Sequence, residues 1–135
     1  IKEKNLFTVL VNSNDGLLVE DNYMDITELR AAALEFLDNN GDLSCDYCEG
    51  SRNPASSDNP KKAIVSLQND RGTSYKLYIA VQNELAAAYN ELRERESQKR
   101  FGKAYADLTD EEEIKEIKGL YPQVISEAEP VNLGG

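Results

Sequence analysis

Ala63-Ile64-Val65-Ser66-Leu67-Gln68, then Asn69-Asp70-Arg71-Gly72, then Thr73-Ser74-Tyr75: the fold turns on this stretch. Its first six residues are mostly aliphatic and β-branched and read as a strand. The next four carry turn chemistry, and Thr73 or Ser74 brings a hydroxyl to the place where a helix needs a cap. Beyond them Tyr78, Val81, Leu85, Ala88 and Leu92 recur at intervals of three and four. That spacing draws one apolar stripe along a long helix. A strand feeding such a helix predicts a layer of sheet beneath a layer of helix.

Toward the N-terminus, Leu6 to Val11 reads as a buried strand and Leu17 to Glu20 as its return. Asn12-Ser13-Asn14-Asp15-Gly16 forms the turn between them, with Gly16 able to take positive φ. Tyr23-Met24 predicts a short third strand after Asp21-Asn22. Asp25 and Glu28 then have capping-box spacing, and Leu29, Ala33, Phe36 and Leu37 fall on one helical face. Asn39-Asn40-Gly41 is expected to end that helix by left-handed turn chemistry.

Toward the C-terminus the long helix turns polar after Leu92. Glu91–Arg95 and Glu96–Arg100 have the spacing of exposed ion pairs, each worth about 0.3–0.5 kcal/mol. The helix is therefore expected to project from the domain up to about Arg100. Thr109-Asp110-Glu111-Glu112 predicts a second capped helix, with Ile114, Ile117 and Leu120 or Tyr121 as its apolar side and Pro122 as its stop. Gln123 to Ser126 reads as a last strand. The prediction is an α+β fold, a two-layer sandwich with a small mixed sheet and helices on one face, extended by the long helix and the short extra one. It forms a single domain over residues 1–135. Within it, 1–5 is a tether, 42–62 a loop insertion on the surface, 93–121 a helical extension and 127–135 a tail.

Composition narrows the function. The chain has 135 residues, a formal charge of −10 and no histidine. An acidic surface repels phosphate backbones and anionic headgroups, which disfavours nucleic-acid binding and peripheral membrane attachment. Without histidine there is no Ser-His-Asp triad and no side chain of ordinary pKa near neutrality. No apolar run approaches the roughly 20 residues of a membrane span. The first residue is Ile1 and not Met, so the segment is expected to derive from a longer protein.

Cys45-Asp46-Tyr47-Cys48 is the one motif with reactive groups at a chemical spacing. A redox dithiol needs its first sulfur at a helix N-terminus, and a zinc site needs four ligands. Neither context is present in the Gly/Ser/Asn/Pro-rich loop around it, so the pair reads as loop cysteines, bridged if the compartment is oxidising. Asp110 to Glu113 reads as a helix start and not as a calcium loop. Tyr75, Tyr78 and Tyr89 read as core-edge tyrosines of the long helix. No catalytic, metal-binding or cofactor-binding residue is expected.

Four stretches, taken in order, resemble the periplasmic domain of the ExbD/TolR family of biopolymer transport proteins, in its Bacteroidetes-type form. They are Thr8-Val9-Leu10-Val11-Asn12 with Asp15-Gly16-Leu17-Leu18-Val19; Met24-Asp25-Ile26-Thr27-Glu28-Leu29; Ala63 to Asp70 with Thr73-Ser74-Tyr75; and Val124-Ile125-Ser126-Glu127. The 42–62 insertion and the 93–121 extension depart from that pattern. The resemblance implies a domain outside the inner membrane, in the periplasm, on a protein anchored by a transmembrane helix that this chain lacks. It implies ExbB/TolQ-like and TonB/TolA-like partners, a homodimer, and a part in coupling proton-motive force to outer-membrane transport. The expected contribution of this segment is docking through a strand edge. The candidates lie near the chain's ends: Leu6, Val9 and Val11, or Val124, Ile125 and Ser126. A thiol–disulfide protein using Cys45 and Cys48, or a secreted adaptor, is the alternative.

Overall fold

The computed structural model describes residues 2–127. The strands are β1 (Leu6–Val11), β2 (Leu17–Val19), β3 (Asn22–Tyr23), β4 (Ile64–Asn69) and β5 (Ile125–Glu127). The helices are α1 (Ile26–Leu37), α2 (Tyr75–Phe101) and α3 (Glu111–Leu120). The fold is α+β, with one mixed five-stranded sheet in the order β3-β2-β1-β4-β5. The hairpin strands β1, β2 and β3 pair antiparallel, whereas β4 runs parallel to β1 and β5 parallel to β4. Parallel neighbours need a crossover connection. Helix α1 and the loop after it lead to β4, and α2 with α3 leads to β5.

Alternation along the strands decides which face meets the helices. Phe7, Val9 and Val11 of β1, Leu17 and Val19 of β2, and Val65 and Leu67 of β4 are buried. The predicted stripes close over them. Leu29, Ala33, Phe36 and Leu37 of α1 and Val81, Leu85, Ala88, Tyr89 and Leu92 of α2 join the same core. The Phe7 and Phe36 rings meet at 5.1 Å. Each fully buried aliphatic side chain here contributes about 1.5–3 kcal/mol relative to exposure.

The caps agree closely with the sequence. Asp25 and Glu28 complete the capping box of α1, and Ser74 Oγ accepts from Leu77 N–H at 3.2 Å at the start of α2. Asp110 caps α3, one residue later than the Thr109 reading. Two hydrogen bonds to the Asp110 carboxylate account for the difference, from the amides of Glu112 and Glu113. In the first turn the positive φ falls on Asp15 and not on Gly16. Gly16 instead lies close under the Asn12 side chain, whose Oδ1 accepts from Gly16 N–H at 2.8 Å, and a Cβ there would push on Asn12 Nδ2 at 2.9 Å. Asn40, with φ 61°, provides the left-handed residue after α1.

Three expectations are corrected. Strand β1, carrying Leu6, Val9 and Val11, is not an edge. Its two sides are taken by β2 and β4, in the registers Val9↔Val19 and Val9↔Leu67. The polar end of α2 does not project, because Arg93, Glu96 and Ser97 are buried. Glu91 does not pair with Arg95 and instead reaches Arg30 of α1 at 3.3 Å. The 42–62 segment is, as expected, a surface loop without helix or strand, but it is anchored to the domain. Asn39, 1% exposed, holds that loop from inside: its amide donates to the Asn53 and Ser57 carbonyls and its oxygen accepts from Asn53 N–H. Asn40 binds both backbone groups of Cys45. Two asparagines thus supply what a strand partner would have given the loop.

The charged start of the chain is likewise fixed. Glu3–Asn5 is a turn of 3-10 helix, and Asn5 accepts from the buried Asp58 N–H at 2.9 Å. Of the tail, Glu127 belongs to β5, and 128–135 lies outside the described residues. Gly119 is exposed in α3, and a Cβ there meets nothing within 4 Å. Gly119→Ala is therefore expected to stabilise the protein by about 0.5 kcal/mol, read as a higher urea midpoint.

Candidate functional site

A strand edge is the docking feature expected, and the sheet ends in β3 on one side and β5 on the other. Among the described residues β5 pairs with β4 alone, in the register Val65↔Ile125, Ser66↔Ser126 and Leu67↔Glu127. The Val124 carbonyl accepts from Val65 N–H at 3.0 Å, which turns Val124 toward β4. Backbone groups alternate sides along a strand, so the N–H and C=O of Ile125 and the N–H of Glu127 point away from the sheet. Val124, 40% exposed, stands beside them, while Ile125 packs on the core and Ser126 is exposed. Of the six residues offered as edges by the sequence, the fold therefore places Val124, Ile125 and Ser126 at an edge and Leu6, Val9 and Val11 in the middle of the sheet.

Cys45 and Cys48 are joined by a disulfide and are 5% and 8% exposed. No helix begins at either residue. Beside the bridge lies a cluster that sequence reasoning missed. The Tyr121 hydroxyl donates to Asp38 Oδ1 and lies 3.8 Å from Cys48 Sγ. Arg95 grips the Asp38 carboxylate with two nitrogens, at 2.8 and 3.1 Å, and also reaches Tyr121 Oη at 2.9 Å and Glu96 at 3.1 Å. Arg93 donates twice to the Tyr121 carbonyl, and the Tyr47 hydroxyl donates to the Leu120 carbonyl at 2.6 Å. Lys99 pairs with Glu49 of the loop. The end of α1, the loop, the end of α2 and the segment after α3 are thereby clasped together.

The electrostatics of the cluster suit holding, not proton transfer. Burial raises the Tyr121 pKa, and the hydrogen bond to Asp38 raises it further. Burial likewise pushes Tyr47 up to about 12. Burial works against the charge on Arg95, but Asp38 and its neighbours outweigh that and raise its pKa. Both phenols are therefore protonated donors near neutral pH. Among the described residues no group of three or more His, Cys, Asp or Glu side chains is placed to hold a metal ion. Among the same residues no helix is long and apolar enough to cross a membrane.

One signal for the cluster was present in the sequence. Adding four to Leu92 gives Glu96, and adding four to Tyr89 gives Arg93 and then Ser97, so polar residues continue the buried stripe. Tyr89 is itself buried, its hydroxyl 3.5 Å from the Val124 carbonyl, whereas Tyr75 is 78% exposed.

Fold and site together define an α+β domain with a one-sided mixed sheet, a β5 edge left unpaired among the described residues, and a disulfide-bearing loop clasped to the helices. No protein-family model matches the chain, and no curated protein matches it.

Proposed function

We propose that this chain is a non-catalytic interaction domain of the ExbD/TolR type, positioned in the periplasm on an inner-membrane protein, and that it works by docking. The observation that carries the reading is the β5 edge, whose outward backbone groups at Ile125 and Glu127 can accept one more strand. The occupant is an extended segment of a TonB/TolA-like partner, with ExbB/TolQ-like subunits as the source of proton-motive energy. The placement of the four resembling stretches supports this. They fall on β1 with β2, on the cap of α1, on β4 with the cap of α2, and on β5. The two departures form one clasped unit at the ends of α1 and α2, away from that framework.

Chemical-shift mapping with an extended TonB-like peptide tests the reading. Perturbation is expected at Val124 to Glu127, and a peptide that leaves those amides in place removes the proposal. A homodimer formed through the same edge would compete with the peptide, so raising protein concentration is then expected to weaken apparent peptide affinity.

A further inference from the structure

At the pole where β1 and β4 begin, three lysines (2, 61 and 62), Ala63, Ile64 and Val124, with Asn5 and Asp58, line an open groove of about 500 Å³. Its floor is apolar: Ala63 is buried, Ile64 is half-buried and Val124 is exposed on one side. Its rim is cationic, in a chain whose formal charge is −10. Asp58 in the lining and Asp42 beside Lys62 are both already engaged. Asp58 is held by Lys4 at 2.6 Å and by Asn5, and Asp42 sits 3.4 Å from Lys62. Four lysines (2, 4, 61 and 62) against two carboxylates (42 and 58) leave two positive charges. Those on Lys2 and Lys61 have no carboxylate partner among the described residues.

The overall negative charge does not cancel this locally. At physiological salt, charges separated by more than about 8 Å are largely screened, so an incoming anion responds to the nearest lysines. A purely polar anion would leave the Ala63–Ile64–Val124 floor wet. An uncharged apolar ligand would strip water from ammonium groups without replacing it. A ligand with one anionic head and one hydrocarbon chain satisfies both, and lysine stems lie readily along such a chain. The volume is also in the usual range of small-ligand sites, about 300–1,000 Å³.

We propose that this groove binds a single-chain anionic amphiphile, with its carboxylate or phosphate head between Lys2 and Lys61 and its chain over Ala63, Ile64 and Val124. The site borders the docking edge at Val124 but differs from it in using Lys2, Lys61, Ala63 and Ile64, whereas the edge uses the backbone of Ile125 and Glu127.

Titration of the ¹⁵N-labelled chain with decanoate below its micelle concentration reads the proposal directly. Saturable shifts are expected at Lys61, Lys62, Ala63, Ile64 and Val124, with decyl maltoside at equal concentration leaving them in place. In the Lys2→Glu/Lys61→Glu variant decanoate affinity is expected to fall roughly five-fold or more, as the loss of two exposed charge contacts implies. Both lysines are exposed, so the remaining amide spectrum reports that this variant is folded. Equal shifts from the maltoside, undiminished affinity in the folded variant, or no saturable response to decanoate would each overturn the proposal. Adsorption to phosphatidylglycerol vesicles without a decanoate response would do the same, because it would assign the lysines to a flat membrane contact.

Discussion

Arg95→Ala is expected to lower the unfolding free energy by about 3 kcal/mol, the lower end of the range for removing one partner of a buried ion pair. Arg95 keeps a quarter of its side chain exposed, but of its three carboxylate partners Asp38 and Glu96 are 11% and 2% exposed, and only Glu49, at 3.5 Å, is open to solvent. Without the guanidinium, Asp38 retains only the Tyr121 hydroxyl as a side-chain partner among the described residues. Glu96 still has Arg100 at 3.4 Å and Lys99 at 3.8 Å. The penalty therefore comes mainly from Asp38, and the Arg95→Ala/Asp38→Asn double variant is expected to lose less than the two single losses summed. Urea unfolding of the four proteins measures this. A loss under about 1 kcal/mol in Arg95→Ala would place the pair with ordinary surface ion pairs and contradict the clasp.

The second large effect is expected at Gly50. Its N–H donates to the Asp38 carbonyl at 2.9 Å. A Cβ at Gly50 would lie 2.2 Å from that same oxygen and 2.6 Å from its carbon. Both are backbone atoms at the end of α1 and cannot swing aside as a side chain would. Gly50→Ala is therefore expected to cost about 3 kcal/mol, at the upper end for overpacking. The loop should also come away from α1, so the Gly41 and Arg52 amides, bound to the Ser57 and Asn39 carbonyls, should exchange faster with solvent. A near-neutral result would show that the loop shifts freely over α1. Gly119→Ala, in open space, is the matched control.

What was legible in the sequence was what a single element states about itself. The stripe from Tyr78 to Leu92 specified α2, and Asp25 with Glu28 specified the start of α1 within a residue. Strand order is not a property of one strand. Leu6 and Val11 stand near the chain's start, yet β4 inserts beside β1 after more than fifty residues. The apolar run Leu6-Phe7-Thr8-Val9-Leu10-Val11 marked a strand packed on the core, and Phe7, Val9 and Val11 are buried there. Position near a terminus carried less information than composition.

The clasp was illegible for a different reason. Asp38, Tyr47, Arg95 and Tyr121 come from four separate stretches, and each alone has a sufficient bland reading. Charge on a helix normally means solvent, and only the continued spacing through Arg93, Glu96 and Ser97 spoke against it. The loop gave no period at all. Its order comes from Asn39 and Asn40, residues that sequence reasoning assigns to helix termination. Both asparagines do terminate α1, and both also bind the 42–62 loop.

Amide hydrogen exchange on β5, with and without an extended partner peptide, tests the docking claim most directly. A strand added to the free edge should bond the outward N–H groups of Ile125 and Glu127 and slow their exchange, while Ser126 N–H, turned toward β4, changes little. A peptide that binds while Ile125 and Glu127 exchange as fast as before would contradict the account.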